Sequence, residues 1–167
     1  MKNSIKVSLL SCLVFIASIA TAQKYTSPPA KAEGKSGASS ITIDYCQPSA
    51  HGRKMIGGTE SFGKVWRTGA NKSTSITFST AVKIEGKDLA AGTYALFTIP
   101  GENEWTIIIN KSIEWGAYSY KEADDVLRVK VKPSKTESFV ETFNISIAND
   151  QIILKWENTQ VAFAVKG

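Results

Sequence analysis

Residues 93–109 read TYALFTIPGENEWTIII. Two runs, Thr93–Ile99 and Trp105–Ile109, are apolar at consecutive positions instead of alternate ones, which suits central strands covered on both faces. Between them, Pro100-Gly101-Glu102-Asn103 has turn chemistry, so the stretch predicts an antiparallel hairpin in the middle of a packed sheet. The segments around it alternate in the manner of half-buried strands. ITIDY places Ile41, Ile43 and Tyr45 on one face and Thr42 and Asp44 on the other, and STSITFS does the same with Ile76 and Phe78. AVKIEG ends in a predicted turn at Gly86-Lys87-Asp88. GAYSY (116–120), VLRVKVK, FNISI, IILKW and VAFAV continue the series, with Asn149-Asp150 as the turn between FNISI and IILKW. Apolar residues nowhere hold a helical period over four turns; the best helical chance is one turn around Lys121–Asp125. The predicted fold is all-β: a two-sheet antiparallel β-sandwich, jelly-roll-like, of about ten short strands.

The ends of the chain set its destination. Lys2 and Lys6, the apolar run VSLLSCLVFIASIA and the site Ala20-Thr21-Ala22 have the three parts of a secretory signal peptide over residues 1–22. The apolar run is too short to span a bilayer. Cleavage near Ala22 would leave Gln23–Gly167, exported to the periplasm or to an extracellular or outer-membrane-associated site, with no transmembrane span in the mature chain. Residues 23–38, rich in Pro, Ala, Lys, Gly and Ser, read as an extended arm, and residues 39–167 as a single β-sandwich domain. Loss of Lys2 and Lys6 lowers the net charge from +5 to +3, which gives no nucleic-acid footprint. One cysteine, Cys46, remains after cleavage, so no internal disulfide can form. It reads as a small residue ending the strand ITIDYC.

The chemistry gathers in HGRKMIGGTESFGKVWRTGAN, residues 51–71. This stretch holds five of the twelve glycines, two of the three arginines and the only histidine. Glycine permits positive φ and close backbone approach, arginine offers a planar charged fork for anionic oxygens, and tryptophan offers a flat apolar face. Alternation through VWRTG puts Val65 and Arg67 on one face and Trp66 and Thr68 on the other. Two accounts of the stretch stand side by side. One is an irregular crossover pinned by arginine hydrogen bonds to its own carbonyls. The other is a cleft for an anionic or carbohydrate-like small ligand, in which Arg53, Lys54, Trp66, Arg67, Asn71 and Trp115 make contact while Gly52 and Gly69 shape the loop.

Elimination narrows the rest. One histidine and one mature cysteine cannot build a Cys/His zinc site, and no calcium loop, dinucleotide fingerprint or P-loop is present. No metal, cofactor or catalytic residue is assigned. Two alternatives remain: a hydrolase of envelope glycans or esters using Glu102, Glu104, Glu114 or His51, and a purely structural envelope component.

The strings GRK, FGKVWRTGAN, ITFS, AGTYALFTIPGENEWTIIINK, WGAYSY and DVLRVKVKP closely resemble a bacterial secreted domain-of-unknown-function family (DUF2911 type), from about Ser27 to the C-terminus. The resemblance implies an export-competent, mostly β domain of bacterial envelopes and carries no established activity. Gly52, Arg53, Lys54, Trp66, Arg67, Gly69, Ala70 and Asn71 match its motif. Lys72 stands where relatives usually carry an acid, His51 is not typical of its position, and Cys46 is outside the motif.

Overall fold

A computed structural model describes residues 27–114 and 120–167. The expected signal peptide, and all of GAYSY except Tyr120, lie outside them. The described chain forms β1 (Pro29–Ser36), β2 (Ser39–Cys46), β3 (Thr74–Phe78), β4 (Val82–Ile84), β5 (Lys87–Leu89), β6 (Gly92–Ile99), β7 (Trp105–Asn110), β8 (Asp125–Val131), β9 (Ser134–Ala148) and β10 (Gln151–Lys166). These build two antiparallel sheets, β1-β2-β3-β6-β7-β8 and β5-β4-β10-β9. Neighbours in the larger sheet follow chain order, with β4 and β5 diverted to the smaller one. A single 3-10 turn, Glu122–Asp124, stands where one helical turn was expected. Among the described residues no helix is long and apolar enough to cross a membrane.

The central hairpin is β6–β7, paired from Ala95↔Asn110 to Ile99↔Thr106. Its unbroken apolarity has a direct cause. Leu96, Ile107 and Ile109 face the main core between the sheets. Ala95, Phe97 and Ile108 face outward, yet Val65, Ile99 and Tyr120 pack over them as a second, smaller core. Both faces of this hairpin are thus removed from water, and neither can be polar at low cost.

Two tight turns use left-handed residue pairs, as right-twisted hairpins require. Asn149 and Asp150 (φ 53° and 57°) join β9 to β10 as expected. Glu85 and Gly86 (φ 47° and 81°) join β4 to β5, with Ile84 opposite Lys87, so this turn falls one residue earlier than predicted. The expected strands FNISI, IILKW and VAFAV merge into one long hairpin. The β9–β10 register shifts on either side of Glu157, and such bulges hide a continuous strand from a period-two reading.

The expected arm is corrected. Residues 29–36 of it are an edge strand, β1, paired with β2 from Pro29↔Cys46 to Ser36↔Ser39. An edge strand needs little apolar content, and here only alanines, a serine and a glycine turn inward. Lys31, Glu33 and Lys35 line the solvent side, as edges that resist further pairing do. Lys31 sits opposite Asp44 and makes a 3.5 Å ion pair with it. Gly34 allows β9 to approach, because a Cβ there would lie 2.6 Å from Ile147 Cγ2. Gly34→Val is therefore expected to lower stability by about 1–3 kcal/mol through overpacking, read as a lower urea midpoint. An unchanged midpoint would show that β1 does not dock on β9.

Candidate ligand-binding cleft

Residues 47–73 connect β2 to its neighbour β3, and they take the long way, across the end of the sandwich. An irregular segment of this length must satisfy its own backbone polar groups, and the chain does so with ties to both sheets. The Ala50 N–H donates to the Glu141 carbonyl at 2.9 Å, and the His51 N–H to the Glu141 carboxylate at 2.7 Å. Glu157 then receives two adjacent amides, Met55 N–H at 2.9 Å and Ile56 N–H at 2.8 Å, one on each carboxylate oxygen. Its position between the two register shifts of the β9–β10 pair, with φ 53°, aims the side chain at the loop. Farther on, the Gly63 N–H donates to the Pro100 carbonyl at 2.8 Å, on the β6–β7 turn.

Trp66 fixes the far side. Its N–H donates to the Thr98 carbonyl at 2.7 Å and its carbonyl accepts from the Thr98 N–H at 2.9 Å, so it extends the line of β3 beside β6. The indole enters the main core, 3% exposed. It stacks on Trp156 with centroids 5.6 Å apart and meets Phe143 and Trp105 edge-on at 5.0 Å and 6.3 Å. Its Nε1–H donates to the Gly69 carbonyl at 3.0 Å. The void among these rings measures about 10 Å³. The reading of Trp66 as a ligand-stacking ring is thus corrected, because its faces are already used by the core. The expected alternation holds: Trp66 and Thr68 are buried, while Val65 and Arg67 are half-buried on the other side. The TGAN sequence that follows suits the geometry. Thr68 (φ 55°) bonds the Thr98 hydroxyl at 3.1 Å. A Cβ on Gly69 would meet Thr74 Oγ1 at 2.9 Å and the Cys46 carbonyl at 3.0 Å.

The other expected contacts are found in three situations. Arg53 donates from Nε to the Ala50 carbonyl and from a terminal nitrogen to the Ser49 carbonyl, each at 3.0 Å. It pins its own loop, as the first of the two accounts requires. Asn71 (φ 59°) donates to the Ser27 carbonyl at 3.2 Å and ties the loop to the approach of β1. Lys54 and Lys72 are exposed, and Gly52 (φ 72°) turns in open space. Arg67 differs from Arg53: its Nε is buried without a hydrogen-bond partner. Trp115 lies outside the described residues. Of the acid–base candidates, His51 Nδ1 is 3.9 Å from Glu141 and Glu104 pairs with Lys130 at 2.8 Å. Ser73 donates to the Glu114 carbonyl. Glu102 borders a cleft.

That cleft, about 400 Å³, opens at the loop end of the sandwich. Its apolar walls are Ile56 and Phe62 from the loop, Trp105 at the start of β7 and Pro133 before β9; Glu102 is on the β6–β7 turn, with Lys135 and Asn158 on β9 and β10. Phe62 is 42% exposed, and its ring rests on Gly57, whose Cβ would be 2.6 Å from it. Trp105 is 2% exposed, and its indole N–H is buried with no acceptor. Sequence reasoning placed Trp105 in the hairpin and Phe62 in the loop without joining them. Lys135 and Asn158 carried no signal, because the Glu157 bulge brings them to the cleft.

A second polar cluster closes the opposite part of the larger sheet. Asn110 and Tyr120 donate to the two Asp125 carboxylate oxygens, each at 2.8 Å, and Arg128 joins through a 3.1 Å ion pair to Asp125. Burial, with the hydrogen bond to Asp125 next, pushes the Tyr120 hydroxyl up to about 12. Every member is engaged, so the cluster acts as a structural lock.

A family model described as "Protein of unknown function (DUF2911)" matches residues 27–165. The chain belongs to the DUF2911 family. No curated protein and no solved structure matches it. The DUF2911 match spans both sheets and the whole 47–73 loop, so the cleft lies wholly inside the family domain.

One loop acid in this DUF2911 domain titrates unusually. Desolvation raises the Glu60 carboxyl above its ordinary 4.5, and the Arg67 charge opposes the rise. A folded-state value above the unfolded one makes ionisation unfavourable to folding, so stability falls as pH rises through it. Glu60→Gln is expected to raise Tm at pH 7, with the gain fading as pH falls through the raised folded-state value toward 4.5 and absent below it. A gain independent of pH would contradict this origin.

Proposed function

We propose that this domain is an exported, non-catalytic binding module whose anionic or carbohydrate-like ligand sits in the loop-end cleft. The observation that carries the reading is the exposed ring of Phe62, 42% accessible, on the wall of a cleft of about 400 Å³ whose rim is polar. Phe62 offers a flat apolar face, and Glu102, Lys135 and Asn158 surround it, which is the usual composition of a small-ligand site. The site thus remains in the glycine-rich loop region, but its ring is Phe62, and Arg53 serves the frame.

The same lining favours binding over hydrolysis. Glycoside cleavage uses two carboxyls across the scissile bond, and Glu102 is the one carboxylate among the residues lining this cleft. Export follows from the signal-peptide reading of residues 1–22.

The test is calorimetric titration of the purified protein with neutral, amino and uronate oligosaccharides, using wild type, Phe62→Ala and Trp105→Phe. At least one series is expected to bind wild type. Phe62→Ala, a change at an exposed side chain, should weaken it about tenfold, equivalent to about 1.4 kcal/mol. Trp105→Phe, which keeps a ring but makes the cleft wall smaller, should weaken it as well. Absence of binding by every series, or equal binding by wild type and both variants, would overturn the proposal.

A further inference from the structure

Resting on that reading of the cleft, we propose that the guest is an acidic saccharide, a sugar ring bearing a carboxylate, held in one orientation by opposite charges on the two sheets. Lys135 belongs to β9 of the smaller sheet, and Glu102 to the β6–β7 turn of the larger one. Neither makes an ion pair among the described residues. On the same turn, Glu104 is by contrast already paired, with Lys130 at 2.8 Å. The cleft therefore holds one uncompensated cation and one uncompensated anion, separated by an apolar floor.

That arrangement discriminates among anions. A lysine ammonium is a compact point charge that suits a single carboxylate, whereas bidentate recognition of phosphate or sulfate favours guanidinium. Both loop arginines are outside the cleft lining. Glu102 repels a second negative charge, which disfavours dianions and densely sulfated chains, yet it accepts hydrogen bonds from ring hydroxyls. Asn158 can donate and accept on the same rim, and Phe62 covers the C–H face of a ring. A guest with its carboxylate at Lys135 and its hydroxyls toward Glu102 and Asn158 satisfies every one of these groups.

The experiment compares a short oligosaccharide that carries a single terminal uronate with its methyl ester, the same rings without charge, on wild type and Lys135→Gln. Lys135 is exposed, and matching thermal unfolding of the two proteins serves as the folding control. At low salt the acid is expected to bind wild type at least tenfold more tightly than the ester, with the preference shrinking as salt screens it. In Lys135→Gln the two forms should bind alike. Equal binding of acid and ester to wild type would overturn the acidic assignment and leave the cleft itself standing. A preference for acid that survives Lys135→Gln would overturn it too, by placing the cation elsewhere. Binding of neither form would overturn the acidic assignment, and failure of every other oligosaccharide as well would remove the cleft reading with it.

Discussion

The stack of Trp66 on Trp156 joins the two sheets at the end where the cleft opens. Trp156 belongs to the smaller sheet, while the backbone of Trp66 is paired to Thr98 of the larger one. One residue of a long connection thus acts as a strand extension on one side and as a core side chain on the other. Its neighbours Phe143 and Trp105 come from both sheets, so the ring cluster is where β6, β7, β9, β10 and the loop meet. Removing a buried tryptophan of this kind typically costs about 3–5 kcal/mol, a large fraction of the stability of a domain of this size.

This constraint preforms the cleft in which the proposed ligand would sit. Its loop wall, Ile56 and Phe62, is held between two fixed points: the paired amides on Glu157 and the Trp66–Thr98 bridge. A wall held at both ends loses little freedom when a guest arrives, which favours binding by shape. The same demand explains where the loop's charge and glycine go. A 47–73 excursion without regular pairing exposes many backbone donors and acceptors, and Arg53, Glu141 and Glu157 satisfy a share of them. Residue types that suggest ligand contacts are, in several places here, bonded to the chain's own backbone.

How far the sequence reveals this depends on the range of the cause. The β6–β7 hairpin is legible because two cores cover its two faces and leave seventeen residues with a turn in the middle as its signature. The Asn149-Asp150 turn is legible because both residues tolerate left-handed backbone. β1 is not, because an edge strand with alanine and glycine inward looks like a tether until β9 is seen against Gly34. The alternation of Trp66 and Arg67 was readable, but which of the two faces the core was not, since that depends on Trp156 lying ninety residues away. The cleft was half legible. Glu102 and the loop were named, but Lys135 and Asn158 reach it only through the bulge at Glu157.

The central claim is that Trp66 and its ties hold the loop as a fixed wall. Native-state amide hydrogen exchange on Trp66→Ala tests it most directly, read at Met55, Ile56 and Gly63, whose N–H groups bond to Glu157 and Pro100. The account predicts that all three amides lose protection together while the central β6–β7 pairs keep most of theirs. Unchanged protection at those three positions would mean that the loop holds itself in place without the buried indole, and would contradict the account.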